Sequence, residues 1–171
     1  MLEIKTAAEL IDPELEARWA ARRADRESGP MQYILRRFVE RGEAVAIDQI
    51  VAAFPDDPPD AVRAALTTLD AKDLIQVRDG WVEIAYPFSA SPTPFVVRLV
   101  DGRERYACCA IDALGMAPML GEAIDIRWPC HDCGEPVELV VEPEGPAGGA
   151  DGVMVWVGTR AEGDCRLATG L

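Results

Sequence analysis

Apolar residues recur at helical spacing through the first half of the chain and alternate with polar ones through much of the second. This change of period divides the molecule. Residues 7–26 are rich in Ala, Glu, Leu and Arg, with Leu10, Leu15 and Trp19 at near-helical intervals, and predict a helix or helix pair closed by Ser28, Gly29 and Pro30. Tyr33, Ile34, Phe38 and Val39 mark a second helix over 31–41, stopped by Gly42. Ile47, Ile50, Val51 and Phe54 mark a short third, ended by Pro55. A fourth opens at Asp57, Pro58 and Pro59 and runs through Ala71 with Val62, Leu66 and Leu69 inward, since proline suits a first helical turn. Residues 74–77 and 81–85 flank Arg78, Asp79 and Gly80 as a hairpin.

Beyond a proline-rich linker at 87–94 the period becomes that of strands. Residues 95–100 and 103–108 flank Asp101 and Gly102, a tight-turn pair between strand-like runs. A short helix follows from Ala110, limited by Gly115 and Pro118. Ile124, Ile126 and Trp128, then Val137, Leu139 and Val141, alternate as two half-buried strands around the turn at 130–135. A further strand is expected at 153–157. The predicted class is α+β: an N-terminal helical extension (1–30), a winged-helix-like domain (31–86) and a small mixed-sheet domain with a short helix (95–171).

Composition narrows the function. The 171 residues are 49% hydrophobic with a formal net charge of -13, as expected of an acidic globular protein. No apolar run near the start has the length of a signal peptide core or a spanning helix, so a cytoplasmic location without membrane association is expected. The helix, helix, helix, hairpin order is that of many DNA-binding modules. On the segment that would read DNA, however, Arg63 and Lys72 are set against Asp56, Asp57, Asp60, Asp70 and Asp73. That balance is wrong for phosphate neutralisation, and no DNA partner is expected.

Five cysteines, an odd number with no export signal, favour free thiols for metal or catalysis over a disulfide framework. The densest chemistry lies in Tyr106 to Gly121, YACCAIDALGMAPMLG. With a helix beginning at Ala110, Cys109 lies at its start and Asp112 one turn on, at the i, i+3 spacing that brings side chains together. A helix N-terminus favours thiolate, so Cys109 is expected to be the most reactive thiol. Asp112, beside it, tends to keep its proton, because two like charges at short range disfavour double ionisation. The blander alternative is a buried cysteine acting as a small hydrophobe and an acid complementing the helix dipole.

Tyr106, Ala107, Cys109, Ala110, Ile111 and Asp112, then Pro118, Leu120 and Gly121, make this stretch resemble the active-site segment of the bacterial organomercurial (alkylmercury) lyases. The resemblance continues at Cys130, Gly134, Pro136, Val137 and Leu139, and covers residues 32–143. It implies protonolysis of a carbon–mercury bond to give a hydrocarbon and mercury(II), with Cys109 binding the metal, Asp112 carrying the proton, and no cofactor. The implied partners are an organomercurial small molecule, cellular thiols, and a mercuric reductase to remove the ion. The family also uses a second catalytic cysteine near the C-terminus, ahead of a strand with an aromatic pair. Here the only late thiol is Cys165, between Asp164 and Arg166, in surroundings unlike the family's. Cys108 and Cys130 are further candidate mercury ligands. Binding with poor turnover is therefore expected of a C-terminally incomplete member. The alternative is a non-enzymatic thiol protein of the same fold that binds or senses a soft metal. Cys130, His131 and Cys133 stay open between a structural pair beneath the active-site helix, auxiliary ligands for mercury, and half of a zinc site, which normally takes four ligands.

Overall fold

Gly29–Arg41 (α1) puts Met31, Ile34, Leu35 and Phe38 on one buried face; of the four residues whose spacing marked the helix, Ile34 and Phe38 are buried and Tyr33 and Val39 only partly covered. A computed structural model describes residues 28–147 and 150–155, together with 5, 6, 9, 13, 17, 20, 22, 25 and 26. The helix expected over 7–26 thus lies largely outside the described residues, as do Cys165 and the end of the strand expected at 153–157. Ser28 and Pro30, read as the close of that first helix, instead begin α1, with Ser28 at its N-cap and Pro30 in its first turn.

Val45–Ala46 (β1), Ile47–Ala52 (α2) and Pro59–Ala71 (α3) follow. Ile75–Arg78 (β2) and Trp81–Ala85 (β3) then form the expected antiparallel hairpin. Phe88–Ser89 (β4), Phe95–Arg98 (β5) and Glu104–Ala107 (β6) lead to Ala110–Leu120 (α4). Ile124–Pro129 (β7), Pro136–Glu142 (β8) and Gly145–Pro146 (β9) complete the described elements. The architecture is a mixture of helices with antiparallel sheet, in the order β1-β3-β4-β6-β5-β7-β8-β9, with β2 also paired to β3.

Two expectations need correction. The stretch 87–94 is no free linker: β4 lies within it and pairs with β3 on one side and β6 on the other, making one continuous sheet. Phe88 supplies the reason, since its ring is fully buried and stacks on Phe38 with centroids 6.2 Å apart. Burying an aromatic ring favours the sheet by a few kcal/mol, more than the proline-rich composition around it opposes. Residues 153–155 form no strand. The strand following β8 is the two-residue β9, the last in the sheet among the described residues.

A second join holds the helical half to the strand that delivers the thiols. Arg105 is a buried arginine on β6, and its Nε donates to the carbonyls of Phe38 at 2.8 Å and Val39 at 2.9 Å. Arg103 Nη1 donates to Glu40 O at 2.6 Å. Two cations thus cap the last turn of α1, where free carbonyls and the negative end of the helix dipole attract positive charge. Gly42 ends α1 in the left-handed conformation with φ 67°. A Cβ there would stand 3.1 Å from Arg105 Cδ, so glycine serves both the turn and the close approach of Arg105.

Candidate active site

β6 ends at Ala107 and α4 begins at Ala110, so the two thiols fall in the turn from strand to helix. Their side chains have different surroundings. Cys108 is buried, and its Sγ lies 3.4 Å from the Phe88 carbonyl on β4. Burial, followed by the charges of Asp112 and Cys109, pushes its ionisation well above the usual thiol range. Cys108 is therefore held as a neutral inward-facing group, a setting that does not favour metal binding.

Cys109 is the N-cap of α4, with extended backbone (φ -153°). Its Sγ accepts from the Asp112 backbone N–H at 3.4 Å and donates to Asp112 Oδ2 at 3.0 Å. The spacing read from the sequence thus produces direct contact. The ionisation expected from it does not follow. The Cys109 thiol is pushed up to about 11 from 9.0 by burial, then by the hydrogen bond to Asp112 and its charge, and these outweigh the backbone N–H groups that favour thiolate. Burial likewise raises Asp112 above the usual carboxyl range, against the opposing pull of Cys109 and Arg26. The pair keeps a proton between sulfur and oxygen and suppresses a free thiolate.

Tyr86 is a neighbour that no local sequence signal singles out. In the β4–β6 pairing Phe88 faces Ala107, and Cys108 N–H donates to Pro87 O at 3.0 Å, which carries Tyr86 alongside the start of α4. Its hydroxyl is buried without a hydrogen-bond partner among the described residues. Burial first, then Asp73, Cys108, Asp112 and Cys109, push its ionisation above the usual phenol range, so it is a neutral hydroxyl near the pair. Arg26 Nη2 donates to the Tyr86 carbonyl at 3.3 Å. Neither contact has a local signature: Arg26 and Tyr86 stand 60 residues apart.

On the other side of the start of α4 is an apolar cavity of about 100 Å³, lined among others by Phe95, Ala110, Leu114 and Trp128. Phe95 and Trp128 pack with ring centroids 6.4 Å apart. Ala110, the residue after Cys109, lines this cavity, but Cys109 and Asp112 themselves do not. Cys130 and Cys133 lie elsewhere, in the turn between β7 and β8. Cys133 is exposed and Cys130 only partly covered, which rules out a structural pair beneath the helix. The structure thus brings Cys109 and Asp112 together, turns Cys108 inward, and leaves Cys130 on the surface.

A thiol and a carboxyl sharing a proton at a helix start, beside an apolar cavity, form a site suited to capturing a soft electrophile and returning a proton to it. Comparison with known proteins gives that class a family. The family model described as MerB, alkylmercury lyase, matches residues 88–170, and over that stretch the chain is similar to the alkylmercury lyase family. The chain is 33% identical over 121 residues to an alkylmercury lyase of Staphylococcus epidermidis, covering 69% of this chain and 54% of that protein. It is 34% identical over 115 residues to one from Streptomyces lividans, covering 64% and 49%. Among solved structures, the mercury-bound form of MerB2 superimposes with a TM-score of 0.61 at 26% identity, covering 80% of this chain and 66% of that one. The chain spans about half the length of the curated relatives it matches.

Proposed function

We propose that the chain carries out alkylmercury lyase chemistry, cleaving a carbon–mercury bond by protonation with Cys109 as the metal-binding sulfur and Asp112 as the proton carrier. The observation that supports this most is the 3.0 Å contact between Cys109 Sγ and Asp112 Oδ2. An organomercurial R–Hg–X meets a thiol already hydrogen-bonded to a carboxylate. As sulfur bonds mercury, X⁻ departs and the thiol proton passes to Asp112. The carbon–mercury electron pair then goes to carbon, which takes that proton and leaves as R–H, restoring the carboxylate. A raised carboxyl pKa suits this role, because a carboxyl that binds its proton more firmly than an ordinary aspartate can take up the thiol proton and hold it for delivery. The apolar cavity beside Ala110 accommodates R.

Sulfur is the right atom because mercury(II) is soft. The reaction needs no resident cofactor, since the thiol supplies the ligand and the carboxyl the proton. Mercury left on Cys109 gains from a second sulfur, from Cys165 or from a cellular thiol, and a mercuric reductase is the natural recipient. The helical half acts as a winged-helix-like cover and not as a DNA reader. Its two candidate contact cations are already engaged, Arg63 with Asp48 at 2.7 Å and Lys72 with Asp25 at 2.8 Å. Among the described residues no helix is long and apolar enough to cross a membrane.

The test is release of benzene from phenylmercury with excess thiol, followed by headspace gas chromatography. The parent chain is expected to form benzene and Cys109→Ser to form none. Equal rates from both would remove Cys109 from the reaction.

A further inference from the structure

The proposed chemistry leaves one thiol pair unused. β7 and β8 end their ladder at Pro129 opposite Pro136, and neither ring nitrogen carries an N–H to continue it. The turn that follows is held from within: Cys130 N–H donates to Glu135 O at 2.7 Å and Gly134 N–H to Cys130 O at 2.9 Å. Gly134 has φ 73°, which folds the chain back immediately after Cys133. Cys130 and Cys133 thus stand three residues apart in one closed turn, Cys133 exposed and Cys130 partly so. The backbone N–H groups of Cys133 and Asp132 lower the Cys130 thiol from its usual range.

We propose that Cys130 and Cys133 form a surface site for a soft, two-coordinate d¹⁰ ion, with mercury(II) as its probe, separate from Cys109. Two features select the class of ion. Paired thiolates prefer soft ions to hard ones. Zinc sites normally need four ligands, whereas among the described residues no group of three or more His, Cys, Asp or Glu side chains is placed to hold a metal. Two thiolates satisfy an ion that is content with two ligands. Binding of HgX₂ forms two sulfur–mercury bonds and releases two X⁻ and the protons those thiols still held. The site does not depend on the lyase reading, because neither Cys109 nor Asp112 takes part.

The experiment uses the full chain carrying Cys109→Ser and Cys165→Ser, reduced, with mercuric chloride as probe and a monothiol as competitor. One equivalent of mercury(II) is expected to protect Cys130 and Cys133 together from alkylation, as read by peptide mass spectrometry. Adding Cys133→Ser or Cys130→Ser is expected to weaken retention against the monothiol by about 10²-fold or more, the advantage lost when a second contact ceases to be intramolecular. Thermal melts of these variants beside the Cys109→Ser, Cys165→Ser background, from which they differ only in the turn, establish that they are folded. Retention unchanged by either substitution, protection of one cysteine alone, or mercury-linked dimers in place of a one-to-one complex would each overturn the proposal. Equal protection by zinc chloride would also overturn it, by showing a site completed to four ligands.

Discussion

Cys109 and Cys130 sit in opposite electrostatic settings although both accept hydrogen bonds from backbone N–H groups. At Cys109 those N–H groups, at the start of α4, are outweighed by burial and by Asp112, and the thiol is pushed up to about 11. At Cys130 the N–H groups of the turn meet little opposition at the surface, and the thiol is lowered. A helix N-terminus therefore does not by itself make a reactive cysteine. What the side chain is buried against, and which charge it faces, decides the sign. On these grounds Cys130, and not Cys109, is expected to be the more reactive of the two thiols. The difference also suits the two sites to different tasks, since a proton-sharing pair is needed to protonate carbon and two accessible thiols are better at holding an ion.

The largest effect expected from this contrast is in alkylation. A shift from 9.0 to about 11 leaves roughly 100-fold less thiolate at neutral pH, each unit being tenfold. Iodoacetamide at limiting concentration should therefore label Cys130 well before Cys109. Cys109 labelling should climb with pH until about pH 11, because thiolate is the nucleophile and appears only as the raised value is passed. Preferential labelling of Cys109 at pH 7, read by peptide mapping, would break the contrast.

Removing the carboxylate charge sharpens it. Asp112→Asn is expected to move the Cys109 labelling profile to lower pH and speed its alkylation at pH 8 by about tenfold, the effect of one pKa unit, while leaving Cys130 unchanged. Slower labelling of Cys109 in this variant would mean that Asp112 supports the thiolate instead of suppressing it.

The fold connects to the buried site but not to the exposed turn. Arg105→Leu leaves the last carbonyls of α1 without their cationic donor and should cost about 2–3 kcal/mol, as for hydrogen bonds involving a charged group. Urea denaturation measures this. Below the transition, Cys130 labelling should not respond, and a stability within 0.5 kcal/mol of the parent, the range of an ordinary surface change, would show that the cap is dispensable. The smallest effect belongs to Tyr86→Phe. Its hydroxyl is buried without a partner among the described residues, so deleting it should be neutral or stabilise by up to about 1 kcal/mol. A loss of more than that in a thermal melt would mean that the hydroxyl has a partner in solution.

Local signals in the sequence were sufficient for much of this. The spacing of Ile34 and Phe38, the Asp101-Gly102 turn, and the three-residue step from Cys109 to Asp112 each act over one or two turns of chain, and the structure has all three. What escaped was set by distant partners. Arg105 caps a helix 67 residues earlier, and Phe88 draws a proline-rich stretch into the sheet by packing on Phe38. The Cys109 ionisation escaped for the same reason, because burial depends on the whole packed sheet and not on the residues beside the thiol.

The central claim is that Asp112 carries the proton that cleaves the carbon–mercury bond while Cys109 holds the metal. The most direct measurement is benzene release from phenylmercury by Asp112→Asn beside the parent chain, with bound mercury determined in the same samples. The account predicts that mercury stays bound and benzene formation falls by about 10²- to 10⁴-fold, the usual contribution of a positioned acid–base group. Benzene formed at the parent rate by Asp112→Asn would contradict it.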